Sequence, residues 1–280
     1  MALGGLKARL LAGAALLVVA GPALAADLSG GGSMKDAPAA PAADAWTITG
    51  YIQGTNDYIF RGISQNRRDP ALQGGADVSY GLFYAGTFAS NVDFGGPYTE
   101  SNVAHASAEV DVYAGIKPKL GEVSFDFGVI TYNYINNGTH PKPYPTYDPA
   151  YQELKAGASV TVLTDLALGG TVYYSPEYFG NTGSAVTVEG TASKPITKIQ
   201  EVDLAASGTV GHTFYENATA NGGIPNYDYT YGNLGVTATY KAFSVDLRWW
   251  DSDLSSKTGC DSFSVFQCGS AFAGTVKFSF

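Results

Sequence analysis

Beyond residue 25 this chain lacks any long apolar run, so no later segment is written as a membrane-spanning helix, which needs about 20 such residues. Basic residues are scarce as well. Against 25 Asp and Glu stand 16 Lys and Arg, a formal charge of −9, which argues against a nucleic-acid partner. Only 2 Cys occur, Cys260 and Cys268, with no His or further Cys nearby and no Cys-x-x-Cys spacing, so a metal centre or redox pair is not expected. In an exported protein the pair reads as one structural disulfide closing a small loop. The three histidines, His105, His140 and His212, are scattered. His140 has Thr139 and Asp148 near in sequence and His212 has Glu216, but neither forms a recognisable acid–base arrangement. Gly-x-Ser-x-Gly, His-Glu-x-x-His and phosphate-loop patterns are absent. No catalytic residue and no cofactor is expected.

What is present begins with an address. Lys7 and Arg9 precede an apolar stretch from Leu10 to Ala20, and Ala23-Leu24-Ala25 forms a small-residue cleavage site. Residues 1–25 therefore read as a secretory signal peptide cleaved after Ala25, with no Cys there for a lipoprotein anchor. Residues 26–45 are rich in Gly, Ser, Pro and Ala and read as a flexible periplasmic leader. An exported chain without a spanning helix either stays soluble or crosses a membrane as a closed barrel, the other viable spanning structure.

Residues 46–280 favour the barrel. Twelve strand-like segments fall at 46–60, 70–80, 83–92, 104–117, 122–134, 151–162, 166–177, 185–195, 200–213, 230–240, 243–252 and 270–280. The connections between them alternate long and short, as outer-membrane barrels alternate outer loops with periplasmic turns. An even count places both termini on the periplasmic side. The expected fold is thus all-β, a transmembrane antiparallel β-barrel of 12 strands.

The faces sort with a period of two. Residues 243–250 set Phe243, Val245, Leu247 and Trp249 against Ser244, Asp246, Arg248 and Trp250. Residues 153–162 set Leu154, Ala156, Ala158, Val160 and Val162 against a polar register starting at Glu153 and Lys155. Segment 83–92 does not sort. Aromatics gather at strand ends on the apolar face, Trp46, Tyr58 and Phe60 on the first strand and Phe278 and Phe280 on the last, as interfacial belts require. The final stretch alternates to the terminal Phe280, and an open edge there would invite aggregation in water. It reads as the strand that closes the barrel and as the assembly signal, Phe278 and Phe280, offered to the barrel-assembly machinery. A soluble β-sandwich also alternates, but does not account for the loop pattern, the export signal and the aromatic terminus together.

The stretch from Asp57 to Phe94 (DYIFRGISQNRRDPALQGGADVSYGLFYAGTFASNVDF) is more specific. Tyr58, Phe60, Arg61, Gly62, Ser64 and Gln65, then Pro70, Ala71, Gln73 and Gly74, then Phe83, Tyr84, Gly86, Ser90 and Asn91 resemble the fingerprint of the TorF-type porin family, a conserved outer-membrane family of uncharacterised function. Residues 109–115 (EVDVYAG), Tyr151 to Glu153, Tyr174 to Glu177 and the Cys pair fit as well. Leu82 departs from the pattern, where Gly is expected before the Phe-Tyr pair. The resemblance implies a barrel in the outer membrane of a Gram-negative bacterium, giving passive diffusion to small solutes or ions. It brings no substrate.

Twelve strands about 4.8 Å apart and tilted by about 40° make a backbone cylinder roughly 24 Å across. Wall side chains leave a gap on the order of 10 Å, which an inward-folding loop could close. The Pro-rich loop 135–150 either does so or caps the surface. The expected pore lining is Asp57, Arg61, Gln73, Asp77, Glu109, Asp111, Asp126, Glu153, Lys155, Glu189, Glu201, Asp203, Asp246, Arg248 and Lys277. Acids dominate it, so the channel is expected to prefer cations, unless these charges pair and merely stiffen the wall. Arg61 is placed at the rim of the first outer loop with Arg67 and Arg68, where they meet lipopolysaccharide phosphates or simply solvent. Outer-membrane lipid, small solutes and a homo-oligomeric copy complete the expected partners. A closed structural or adhesive barrel without conductance is the alternative.

Overall fold

The computed structural model describes residues 45–94, 106–135, 149–216, 228–254 and 267–280. Twelve long strands form one continuous antiparallel ring. In chain order they are β1 (Trp46–Thr55), β4 (Ala71–Tyr80), β5 (Phe83–Asn91), β6 (Ala108–Ile116), β8 (Val123–Ile135), β9 (Tyr151–Val162), β10 (Leu166–Ser175), β11 (Ala185–Ile199), β12 (Val202–Tyr215), β13 (Tyr229–Tyr240), β14 (Phe243–Ser252) and β15 (Ala271–Ser279). Three two-residue strands lie outside the ring: β2 (Ile59–Phe60) and β3 (Ile63–Ser64), which pair only with each other, and β7 (Lys119–Leu120), which extends the β6–β8 turn. The first and last strands close the ring, with Tyr51 opposite Ser279 and Thr55 opposite Thr275. The terminal residue adds to the seam, since Phe280 N–H donates to Gly50 O and Gly50 N–H donates to Phe280 O, both at 2.8 Å.

The apolar registers face out. Ile48, Leu72, Phe83, Leu154, Leu234, Val245, Leu247, Phe272 and Val276 are exposed around the ring, while the alternate positions are buried inside. Such a surface would be a severe aggregation liability in water and is what a hydrocarbon solvent requires. The chain is a transmembrane β-barrel. Trp46 packs on Tyr80 and Phe243 on Phe278 at the end that carries both termini, forming part of an aromatic girdle.

Several boundaries differ from the sequence reading. β11 continues to Ile199, past an irregularity between Pro195 and Thr197 where the missing proline N–H does no harm. Glu201 then falls in a two-residue turn instead of on the wall. Segment 83–92 does not sort because Tyr84 and Phe88 point inward, Tyr84 to the Asp126 carboxylate and Phe88 against the Tyr58 ring. The largest correction is at the first strand. β1 stops at Thr55, so Asp57, Tyr58 and Phe60 leave the wall, and both rings are buried inside the barrel instead of belonging to the belt.

Asn56 makes that departure tolerable. Its backbone N–H and its side chain bond β15 where β1 would otherwise have done so, with Nδ2 donating to Phe272 O at 3.1 Å and Oδ1 accepting from Gly274 N–H at 2.5 Å. The neighbouring edge is satisfied and the chain is free to turn into the lumen. Residues 1–44, the middle of the loop 135–150, His105, His140 and Cys260 lie outside the described residues.

Candidate functional site

Between β1 and β4 the chain makes a small ribbon, β2–β3, inside the barrel. Phe60 pairs with Ile63, and the two residues between them, Arg61 and Gly62, both take positive φ (50° and 78°), the signature of a primed two-residue hairpin turn. The ribbon's root is tied internally. Ser64 Oγ donates to Asp57 Oδ1 at 2.6 Å, Gln65 N–H to Tyr58 O at 2.7 Å, and Tyr58 N–H to Asn66 Oδ1 at 3.0 Å. Burial pushes the Asp57 carboxyl above its ordinary range, against the pull of the Ser64 hydrogen bond. One edge is pinned to the segment before β15: Ser64 N–H donates to Gln267 O at 2.7 Å, Ile63 bridges Cys268, and Arg68 Nη2 donates to Cys268 O at 3.1 Å.

The tip reaches the far wall. Arg61 forms a bidentate pair with Glu153 of β9, Nη1 to Oε1 at 2.7 Å and Nη2 to Oε2 at 2.9 Å, and both residues are about 2% exposed. The guanidinium lies between two rings, 4.8 Å from the centre of Phe60 and 4.7 Å from that of Tyr173 on β10. Tyr132 of β8 donates to Glu153 Oε2 at 2.8 Å, and the Tyr178 phenol lies beside the guanidinium. Burial is the largest influence and works against the Arg61 charge, but Glu153 and the surrounding tyrosine oxygens together outweigh it and hold the group protonated well above its ordinary range. Beside it Gly62 packs so tightly that a Cβ there would sit 2.9 Å from Tyr231 Cβ and 3.0 Å from Ser252 Cβ, on β13 and β14. In ring order β10 is opposite β1, so the ribbon spans the lumen.

Other inward groups pack around the ribbon. Tyr58 donates to Glu109 Oε1 at 2.9 Å and leans on Phe88; Phe60 leans on Tyr132, which stacks on Tyr151 at 4.1 Å. Tyr231 donates to Glu189 Oε1 at 2.5 Å. Above lies an aromatic layer made by Phe94, Tyr178 and Phe179 of the outer connections with Tyr134 near the end of β8, Phe94 and Phe179 being edge-to-face at 5.6 Å. Every strand of the ring presents at least one inward residue under 8% exposed, among them Gln53, Gln73, Ser90, Asp111, Ser175, Thr187, Thr213 and Ala273. Small polar residues so far from water mark a level at which the lumen is filled.

Toward the termini the inward charges pair with one another and with tyrosines. Lys155 reaches Asp126 Oδ2 at 3.0 Å, Lys117 approaches the same oxygen at 3.8 Å, and Tyr84 donates to Oδ1 at 2.7 Å. The Tyr84 ring fills space that only glycines leave, since Cβ atoms at Gly115 or Gly128 would meet its hydroxyl. Tyr113 donates to Asp77 at 2.8 Å, and Lys277 lies 5.1 Å over the Tyr51 ring. Arg248 bonds Asp246, Asn233 Oδ1 and Ser207.

The expected lining is therefore brought together with exceptions. Gln73, Asp77, Glu109, Asp111, Asp126, Glu153, Lys155, Glu189, Asp246, Arg248 and Lys277 face the interior. Glu201 does not: its side chain is in solvent beside Lys241. Asp203 keeps the inward register but lies past the enclosed section, exposed and paired with Lys198. Arg61 is buried at the ribbon's tip, not at the rim, because the preceding segment folds inward. Cys268 is buried at the ribbon's anchor, and its expected partner Cys260 is among the residues not described. Alternation alone does not single out Tyr132, Tyr173, Tyr178 and Tyr231, which the structure brings to this site. The available signal was the two-residue Arg-Gly pair between Ile-Phe and Ile-Ser, a hairpin pattern masked by alternation running on from β1.

In sequence, residues 39–280 match the model of a bacterial family described as of unknown function (Gcw_chp). That description confirms neither the TorF-type name nor an activity. No curated protein matches significantly. Among solved structures, the KdgM porin overlays 84% of this chain and 99% of its own with a TM-score of 0.48 and 9% identity. The NanC porin overlays 82% and 98% with a TM-score of 0.49 and 12% identity. LpxR from Salmonella typhimurium overlays 82% and 99% with a TM-score of 0.43 and 11% identity. Overlays this loose assign no activity.

Proposed function

The chain belongs to the Gcw_chp family of bacterial proteins of unknown function, and from that premise we propose that it is an outer-membrane diffusion channel for small hydrophilic cations, held shut at rest by the β2–β3 ribbon. The observation that carries this reading is that a separable element, not the wall, fills the lumen. A ring of twelve strands is wider than its own inward side chains can fill, leaving a gap on the order of 10 Å. The gap is spanned by a hairpin joined to the wall mainly through its root, its pinned edge and the Arg61–Glu153 pair. Withdrawn, it would leave a polar bore lined by Glu109, Asp111, Glu153, Glu189, Asp77 and Asp126, which favours cations.

On this reading the protein is a TorF-type porin of a Gram-negative outer membrane, exported by residues 1–25 and inserted by the assembly machinery through Phe278 and Phe280. Lipopolysaccharide surrounds it, and Cys260 and Cys268 form a disulfide beside the ribbon's anchor. Catalysis has no part in it, and an oligomer is not required for conduction.

The test is single-channel recording from the refolded full-length protein and from a variant with residues 57–69 replaced by a short Gly-Ser turn. Sparse, low conductance in the first and a steady, cation-selective current in the second are expected. A replacement barrel that still shifts its gel mobility on heating yet passes no current supports the rival reading, a closed structural barrel.

A further inference from the structure

Most of what grips the Arg61 guanidinium belongs to the wall or its connections and would stay behind if the ribbon moved. Glu153 supplies a two-oxygen fork, Tyr173 a ring face at 4.7 Å, and Tyr178 a phenol, while Tyr132 steadies the Glu153 carboxylate. Of the contacts described, only the Phe60 ring travels with Arg61. A carboxylate fork flanked by aromatic faces recognises planar organic cations, since the fork matches two parallel N–H donors and the rings favour weakly hydrated positive charge. The same belt of the lumen holds Glu109, Asp111 and Glu189, while the wall bases Lys155 and Arg248 are engaged lower down by Asp126 and Asp246. Arg61 also sits at a positive φ that an arginine seldom adopts, strain that its contacts must offset.

We propose that this chamber is a binding site for guanidinium-bearing organic cations, and that Arg61 occupies it as a tethered stand-in for the solute. The inference rests on the channel reading above and gives it a solute class and a means of opening: a free guanidinium competes with Arg61 for Glu153 and unseats the ribbon. Simple metal cations lack the paired planar donors and compete poorly.

The test uses refolded full-length Arg61→Ala with methylguanidinium chloride as probe and sodium chloride as control. Methylguanidinium is expected to block the Arg61→Ala current reversibly, and adding Glu153→Gln should weaken that block by about tenfold or more, as expected for loss of a buried charge partner. Without any electrical readout, millimolar methylguanidinium should raise the temperature at which the Arg61→Ala barrel loses its folded gel mobility, and equimolar sodium should not. In Arg61→Lys, which keeps a tethered charge should the alanine variant not fold, methylguanidinium should increase the current by displacing the weaker tether. A conducting variant on which methylguanidinium acts no differently from sodium overturns the site and leaves the channel standing. A folded variant that never conducts but is stabilised by methylguanidinium supports the site and overturns the channel.

Discussion

Gly62 and Gly121 separate what is ordinary in this barrel from what is not. Both have positive φ (78° and 61°), so alanine at either costs about 1 kcal/mol of backbone strain. At Gly121 an added Cβ meets nothing within 4 Å, whereas at Gly62 it meets Tyr231 and Ser252 at about 3 Å. Gly121→Ala is expected to leave conductance unchanged. Gly62→Ala is expected to lift the ribbon's tip and raise conductance severalfold in bilayer recordings while the barrel itself stays folded. Glu153→Gln acts on the same contact from the wall. Breaking a buried pair by removing one partner costs about 3–5 kcal/mol, so its folded gel band should melt at a clearly lower temperature than that of the parent. An equal melting temperature would mean that water already reaches the pair.

Elements tell a less even story about what the sequence discloses. The ring was legible because a lipid-facing strand must alternate along its whole length and the turns at one end must be short. β14 and β15 follow the written registers, with Trp249 and Phe272 outside and Arg248 and Ala273 within. The ribbon was illegible for the same reason, because alternation carries on through Tyr58 and Phe60 and gives no sign that the chain has left the wall. What sends it inward is the Asn56 side chain on β15, a contact with residues more than 200 positions away. Equally hidden were the inward tyrosines, whose partners are glycines and acids one or two strands away. The last strand was read correctly as the closing one, and its end is specific. A Cβ at Gly50 would sit 2.8 Å from the Phe280 ring. Gly50→Val is expected to displace that ring and, like deletion of Phe280, to lower the yield of membrane-inserted barrel several-fold, measured as the heat-modifiable fraction after expression. Normal insertion of both would remove the aromatic terminus from any part in assembly.

For the whole molecule, the decisive property is that its exterior is apolar at every strand while its charges are inside. Leu234 lies midway along β13 and is 64% exposed. Arginine there should cost about 2–4 kcal/mol if the surrounding medium is hydrocarbon and almost nothing if it is water. Refolding into lipid vesicles across a urea series would read that difference directly. Reversal potentials in a salt gradient provide the second whole-molecule measurement. Potassium over chloride is expected once the ribbon is removed, and a chloride preference would contradict the reading of the bore.

The pinning of the ribbon has a consequence for how the barrel comes into being. β2 and β3 are made early in the chain, yet their anchor, Gln267 and Cys268, is among the last segments synthesised. Contacts so distant along the chain form late. The ribbon cannot seat until β15 has met β1, so closing the bore is the final act of folding rather than an early one. Newly inserted barrels should therefore leak for a time and then fall silent, and the length of that leaky interval is a clock for the completion of the ring.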